Sequence, residues 1–174
     1  MAYDDIKLSP VERIFRSWIQ HYNHEKYWRY RAIVVDPTRG SKWGDMYRLW
    51  YLKRSDAFNN ASMGTHRNFG AVFAEPPQLP HGLNGIIVTH NARIGTNCTI
   101  FHQTTIGEGP GGAPVIGNHV FIGAGAKVIG GITIGNHVKI GAGCIVTTDI
   151  PDYATVVAEK ARILLPHDSS ARKD

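Results

Sequence analysis

Residues 116–146 read IGNHVFIGAGAKVIGGITIGNHVKIGAGCIV, and an aliphatic residue returns at every sixth position from Ile116 to Val146. A helix of 3.6 residues per turn cannot keep a period of six on one side, and a simple strand alternates every two residues. Short strands joined by tight turns can keep this period, because glycine allows the chain to turn sharply. The stretch therefore predicts a repeat of short strands.

The same period extends towards the N-terminus with one interruption. Aliphatic residues recur every six positions from Val88 to Ile106, but the next step, from Ile106 to Ile116, is ten residues long. Four extra residues therefore lie in the segment 107–115. The register resumes after them, which indicates a loop inserted into one continuous repeat domain.

The units Ile-Gly-Asn-His-Val-Phe and Ile-Gly-Ala-Gly-Ala-Lys resemble the hexapeptide repeats of left-handed β-helix proteins, over about residues 82–150. In that family three hexapeptides make one triangular coil, against the usual right-handed crossover preference. The resemblance implies a mainly β protein, a left-handed parallel β-helix with a short α-helical N-terminal segment. We expect the helical segment over 1–66, the β-helix over 67–165 and a C-terminal tail over 166–174.

The N-terminal segment has the pattern of two helices. Ser9, Pro10 and Glu12 form a capping box with proline in the first helical turn, and a second helix is predicted over 46–58. Basic and aromatic residues are interleaved in this segment. Such interleaving occurs at nucleic-acid, glycan and membrane contacts. We favour packing on the end of the β-helix or on another subunit, with no nucleic-acid partner and no stable membrane insertion.

The charge, the N-terminal residues and the cysteines of the chain bear on its partners, its location and its disulfide content. The net charge of +5 suits a polyanion and a phosphate-bearing cofactor equally well. Residues 1–7 do not resemble a leader peptide and no long apolar run follows, so we expect a cytoplasmic protein. Cys98 and Cys144 occupy inward repeat positions, which predicts two buried thiols rather than a disulfide.

Residues 79–88, LPHGLNGIIV, resemble the active-site segment of serine acetyltransferases and their relatives, and the match continues to about residue 165. The resemblance implies an O-acetyltransferase that uses acetyl-CoA as co-substrate, with no metal expected. His81 would be the general base that takes the proton of the acceptor hydroxyl, because imidazole titrates near neutral pH. The alternative is a histidine that only fills a corner of the β-helix.

Counting eighteen residues per coil, with four added across the insertion, places His81, His102, Ala124 and Ala142 on one side of the prism. The resemblance implies an acceptor side and a cofactor side along it. His102 and Asn84 are candidate substrate-binding residues, although a packed surface histidine explains His102 equally well. The candidate cofactor-binding residues are Gly123, Ala124, Ala142, Lys139 and Lys160.

Three positions depart from the serine acetyltransferase pattern. In that family an aspartate precedes the catalytic histidine, and an arginine-histidine pair closes the inserted loop and holds the amino-acid acceptor. Here these positions are Pro80, Gly112 and Ala113. A charged acceptor would lose its partners, which is costly in a buried site. We therefore predict a sugar or polysaccharide precursor as acceptor, contacted by Gly112 and Ala113, with serine as the alternative.

The carboxylate that orients the base in that family also has no direct counterpart. Counting back along the repeat reaches His66, whereas the nearest acid is Glu75. If one coil is shortened around residues 75–77, Glu75 would orient His81. A capping or solvated glutamate is the alternative.

Two other classes share the prism. A γ-type carbonic anhydrase needs three histidines around a metal, but the coil that would carry them has Ala124 and Ile129 at the matching places. A non-catalytic scaffold subunit stays open, although His81 beside the matching loop argues against it. For an enzyme of this type, the resemblance implies a homotrimer with its sites at subunit interfaces.

Overall fold

A computed structural model of the chain describes residues 9–39, 43–160 and 162. Its helices are α1 Pro10–Gln20, α2 His24–Val35 and α3 Trp43–Phe58. The strands are β1 Ser62–Met63, β2 Thr65–His66, β3 Phe69–Gly70, β4 Val72–Phe73, β5 Ile87–Val88, β6 Arg93–Ile94, β7 Thr99–Ile100, β8 Thr105–Gly107, β9 Val115–Ile116, β10 Phe121–Ile122, β11 Lys127–Ile129, β12 Thr133–Ile134, β13 Lys139–Ile140, β14 Ile145–Val146 and β15 Thr155–Val156. The predicted tail 166–174 lies outside the described residues.

Three parallel sheets form the walls of a prism. Sheet 1 has the order β1-β5-β8-β11-β14, sheet 2 has β4-β6-β9-β12, and sheet 3 has β7-β10-β13-β15. Paired residues of consecutive coils are 18 apart, as for Val88 and Ile106, and 22 apart across the inserted loop, as for Ile106 and Val128. Both the β-helix and the four-residue insertion are therefore confirmed.

The core of the prism is a stack of aliphatic side chains, one layer from each coil. Ile100, Ile122 and Ile140 are completely buried on sheet 3. Burying each such side chain stabilises the fold by about 1.5–3 kcal/mol. Cys98 and Cys144 are buried free thiols, as their inward positions predicted.

The first coil is longer than the others. Ser62 pairs with Ile87, which is 25 residues away instead of 18. The additional residues form the antiparallel β2–β3 hairpin and a wider loop over 79–86. Because β1 begins at Ser62, strand pairing starts inside the segment 1–66 that the sequence assigned to helices.

The helices pack at the first coil. The capping box of α1 is present, because the Glu12 amide donates to Ser9 Oγ at 3.3 Å and the Ser9 amide donates to Glu12 Oε2 at 2.7 Å. The predicted helix over 46–58 is α3, which begins at Trp43. The sequence did not predict α2. None of the described helices is long and apolar enough to span a membrane.

A buried polar cluster joins the helices to the β-helix. The Arg31 guanidinium donates to the carbonyl oxygens of Ala71 at 2.6 Å and Met63 at 3.1 Å. The Tyr27 hydroxyl donates to Asp56 Oδ1 at 2.5 Å. Burial raises the pKa of Asp56 from 3.8 to about 6, although this hydrogen bond opposes the shift. The ionised carboxylate is therefore held in this cluster at a cost in stability.

We expect Asp56→Asn to become more stable relative to the unsubstituted chain as pH rises from about 4 to about 6. The folded state keeps the Asp56 proton over this range while the unfolded state loses it, so stability falls with pH only where the aspartate is present. A shift of about two pKa units corresponds to about 3 kcal/mol. Urea unfolding of both proteins from pH 4 to pH 7 measures the difference.

Asp36→Asn is the matched control. Two hydrogen bonds from Thr38 lower the pKa of the half-buried Asp36, so its replacement should lose relative stability as pH rises, the opposite sign. A difference between Asp56→Asn and the unsubstituted chain that stays constant over the pH range would contradict the assignment.

Candidate active site

The candidate site lies at the corner where the chain passes from sheet 3 to sheet 1. Successive coils stack there through backbone hydrogen bonds. The Gln103 amide donates to Asn84 O at 2.9 Å, Gly125 donates to His102 O at 3.0 Å, and Gly143 donates to Ala124 O at 2.9 Å. His102, Ala124 and Ala142 therefore occupy equivalent positions in successive coils, and the equivalent position in the coil before them is held by Asn84, not by His81 as the count of residues had placed it.

His81 projects beside this column from the loop over 79–86. The centre of its ring lies 4.8 Å from the His102 ring, with the two planes at 80°, and 5.6 Å from the Phe101 ring. His81 is exposed, whereas His102 is half-buried. An exposed imidazole at this position is open to a hydroxyl group that binds beside it, which a general base requires.

The loop that carries His81 is held firmly. Leu83 and Ile86 are completely buried and anchor it in the core. Gly82 and Gly85 have positive φ angles of 67° and 65°, a conformation that other residues adopt only with strain. A Cβ atom on Gly85 would also lie 3.1 Å from the Gln103 side chain. Packing and turn geometry thus fix the backbone of the loop that carries His81.

The His102 ring contributes a second imidazole to the corner. Its Nδ1 is buried and has no hydrogen-bond partner among the described residues. Buried polar atoms in proteins are nearly always paired, so an unpaired ring nitrogen is unusual at this position.

The candidate cofactor residues divide between the corner and the wall beside it. Ala124 and Ala142 lie on the corner, and Gly123 packs beneath them, where an added Cβ would lie 2.6 Å from the Ala142 nitrogen. Lys139 is exposed on the outer face of sheet 3, where it pairs with Phe121 of the neighbouring strand β10. Lys160 is exposed beyond β15.

Glu75 lies at a different corner from His81. It follows β4, where the chain passes from sheet 2 to sheet 3, and its carboxylate accepts a hydrogen bond from the Asn97 amide. His81 lies at the corner between sheet 3 and sheet 1. This position favours the capping role for Glu75 over the orienting role that the sequence suggested.

Gly112 and Ala113 also lie away from His81, in the inserted loop between sheet 1 and sheet 2. Gly109 and Gly112 exchange two backbone hydrogen bonds of 3.0 Å across this loop. The Glu108 carboxylate accepts from Asn91 Nδ2 at 3.2 Å and ties the loop to the preceding coil. Within one chain, the two sets of candidate acceptor residues are therefore on separate edges of the prism.

Sequence reasoning missed Phe101 and Phe121, whose rings lie 5.2 Å apart beside the corner. Phe101 directly follows the inward Ile100 and precedes His102. Its position in the six-residue register could have placed it next to the column. The Phe101 ring forms an apolar flank for His81.

The fold and the corner define a class, the hexapeptide-repeat transferases. The family model "Bacterial transferase hexapeptide (six repeats)" matches residues 113–148. A serine acetyltransferase of Helicobacter pylori is 41% identical over 160 residues, which cover 77% of this chain and 92% of that protein. The chain belongs to the serine acetyltransferase family. It spans only about half of another relative, the Bacillus subtilis serine acetyltransferase, at 36% identity over 60% of this chain and 50% of that protein.

Solved structures of serine acetyltransferases share the fold. The Neisseria gonorrhoeae enzyme in complex with serine superposes with a TM-score of 0.60 at 25% identity, covering 92% of this chain and 63% of that chain. An Entamoeba histolytica isoform in complex with cysteine gives a TM-score of 0.70 at 24% identity, covering 97% and 58%. The second likeness supports the arrangement of helices and β-helix.

Proposed function

We propose that this chain is an acetyl-CoA-dependent serine O-acetyltransferase. The observation that carries the proposal is the His81–His102 pair, which lies on a corner of small residues in a chain of the serine acetyltransferase family. The relative from Helicobacter pylori is matched over 92% of its length. This likeness favours serine over the sugar acceptor that the sequence alone predicted.

In the proposed reaction His81 acts as the general base. Its imidazole takes the proton from the acceptor hydroxyl as the oxygen attacks the thioester carbonyl of acetyl-CoA. The carbon–sulfur bond then breaks, the acetyl ester forms, and the proton passes to the departing thiolate. A positioned base contributes about 10²–10⁴ to the rate. His102 lies close enough to His81 to bind the acceptor or the thioester oxygen through its ring.

The corner above His102 is the proposed path of acetyl-CoA. Ala124 and Ala142 leave a smooth surface there, with Gly123 buried beneath them, because none of the three has a side chain larger than a methyl group. An extended pantetheine arm needs such a surface to reach the reacting histidine. Lys139 and Lys160 are the proposed partners of the cofactor phosphates, since both are exposed cations, Lys139 on sheet 3 and Lys160 after β15.

The separation of the acceptor residues supports a site shared between subunits. Gly112 and Ala113 lie on a different edge of the prism from His81. In a homotrimer of parallel prisms, the inserted loop of one protomer would face the His81 corner of its neighbour. We therefore propose a trimer in which each acceptor site uses two chains.

A neutral sugar hydroxyl is the second candidate acceptor. It is favoured by Pro80, Gly112 and Ala113, which replace the charged residues that hold an amino acid in the family pattern. A site that offers no charge to the serine ammonium and carboxylate would bind serine weakly.

An acceptor panel distinguishes the two candidates. Free thiol released from acetyl-CoA is measured with serine, hexoses and nucleotide sugars, using His81→Ala as the blank. We expect thiol release with serine. Release only with sugars would replace serine by the second candidate, and no release with any acceptor by the folded trimer would contradict acetyl transfer.

A further inference from the structure

Helix α1 presents a stripe of large apolar residues to solvent. We define the α1 stripe as Val11, Ile14, Phe15, Trp18 and Ile19, which recur at helical spacing on one face. All of them are more than half exposed, from 53% for Ile19 to 73% for Val11. An exposed apolar patch of this kind marks a surface that contacts another phase or molecule.

The C-terminal end of α1 is fixed to α3 while the stripe faces outward. The Ser55 hydroxyl donates to His21 O at 2.7 Å, and Asn59 Nδ2 donates to Gln20 O at 3.1 Å. The His21 ring packs on Phe58 with ring centres 4.2 Å apart. These contacts, with the capping box at the other end, hold the helix in place without covering the stripe.

The stripe continues into a basic and aromatic surface. Trp18, Lys26, Trp50 and Arg54 line one open cavity of about 320 Å³, and none of the described residues that line it is acidic. The Arg54 guanidinium lies 5.6 Å from the Trp50 ring centre, and Lys26 Nζ lies 4.4 Å from the Tyr51 ring centre. Cations therefore border the apolar face directly.

Positive charge is concentrated in this part of the chain. Residues 9–58 contain ten Lys and Arg against five Asp and Glu, a balance of +5, whereas residues 59–174 contain eight against seven, a balance of +1. A second copy of the chain would bring the same excess of positive charge to the contact. An anionic surface complements it.

We propose that α1 docks on the surface of an anionic lipid bilayer. The α1 stripe would lie in the boundary between headgroups and acyl chains, as the apolar face of an interfacial helix does. Lys26 and Arg54 would lie at the level of the lipid phosphates, each bordered by an aromatic ring suited to that depth. The helix would lie in the plane of the membrane and would not cross it.

This docking would bring the candidate active site close to the bilayer. The Gly85 amide in the His81 loop donates to Asn59 O at 2.9 Å, and the Tyr22 ring lies beside Gly82. The docked helix and the loop are therefore joined through residues that pack on each other.

Flotation of the full chain with vesicles tests the proposal. We expect binding to phosphatidylcholine vesicles that contain phosphatidylglycerol, weaker binding to phosphatidylcholine alone, and a decrease at high salt as charges are screened. The double variant Ile14→Glu, Phe15→Glu should lower the partition coefficient at least about tenfold, because it places charge in the apolar boundary. Val157→Glu, at an equally exposed apolar residue elsewhere, should bind like the unsubstituted chain.

A charge-reversal variant provides a second test that leaves the stripe intact. Lys26→Glu with Arg54→Glu should lower binding to the anionic vesicles at least about tenfold, with little effect on phosphatidylcholine alone. Failure of the unsubstituted chain to bind anionic vesicles would overturn the proposal. So would a stripe variant that keeps vesicle binding but halves the molar mass in light scattering, since a second copy would then cover the stripe.

Discussion

Replacing His81 with alanine is expected to lower kcat for acetyl transfer by about 10²–10⁴-fold. The alanine cannot accept the proton of the acceptor hydroxyl, and a neutral hydroxyl is a poor nucleophile. The melting temperature should change little, because His81 is exposed and its loop is anchored by Leu83 and Ile86. Steady-state kinetics of thiol release, with thermal unfolding of the same preparation, measures both quantities.

His137→Ala is the matched control for this variant. His137 is exposed, and its ring stacks between His119 and Tyr153 with ring centres 4.6 Å and 4.8 Å apart. It lies at the corner between sheet 2 and sheet 3, away from His81, so kcat should stay unchanged. Full activity in His81→Ala would mean that another group removes the proton.

Replacing Ala142 with leucine is expected to raise the KM for acetyl-CoA about 10- to 100-fold. The larger side chain would project from the proposed cofactor surface, and a mismatch of this size in a binding groove costs about 1–3 kcal/mol. Because Ala142 lies two coils from His102 and away from the reacting atoms, kcat at saturating acetyl-CoA should change much less. Initial rates over a range of acetyl-CoA concentrations give the two constants separately.

Thr148→Leu tests whether this effect is local. Thr148 is exposed in the same coil, but it follows β14 at the corner between sheet 1 and sheet 2. Its replacement adds similar bulk and should leave the KM for acetyl-CoA unchanged. Equal increases in both variants would place the cofactor elsewhere or indicate a general disturbance of the β-helix.

The β-helix could be predicted because its rule is local and repeated. Each inward aliphatic residue, such as Ile122, is specified by its own hexapeptide, and sheet pairing simply stacks equivalent positions. The column formed by His102, Ala124 and Ala142 follows from the same counting. Where coils have equal length, the number of residues between two side chains tells whether they stack on the same side of the prism.

Counting by repeats does not extend to the first coil. The first coil has seven more residues than the regular spacing of 18. The position of Glu75 relative to His81 could therefore not be derived from the number of residues between them. The contact between the rings of His81 and His102 depends on how the wider loop folds back. The sequence supplied the chemistry of these residues but not their separation.

Helix α2 was missed because its buried face is partly polar. Tyr27, Arg31 and Val34 lie on that face, and Arg31 is buried because it donates to carbonyl oxygens of the first coil. Helices are recognised in a sequence by apolar residues at helical spacing, so an arginine on the buried face interrupts the pattern. Only the three-dimensional partners of Arg31 explain its position.

The residues of this chain and its similarity to known proteins predict different acceptors. Pro80, Gly112 and Ala113 favour a neutral hydroxyl, whereas the similarity to serine acetyltransferases favours serine. The loop that carries Gly112 and Ala113 lies on another edge of the prism.

The measurement to make first follows the transfer itself with serine as acceptor. The purified full chain is incubated with acetyl-CoA and serine, free thiol is recorded with time, and the mass of the serine product is determined. We predict serine-dependent thiol release, a product heavier by one acetyl group, and loss of both with His81→Ala. A folded protein that releases no more thiol with serine than without it would contradict the proposed function.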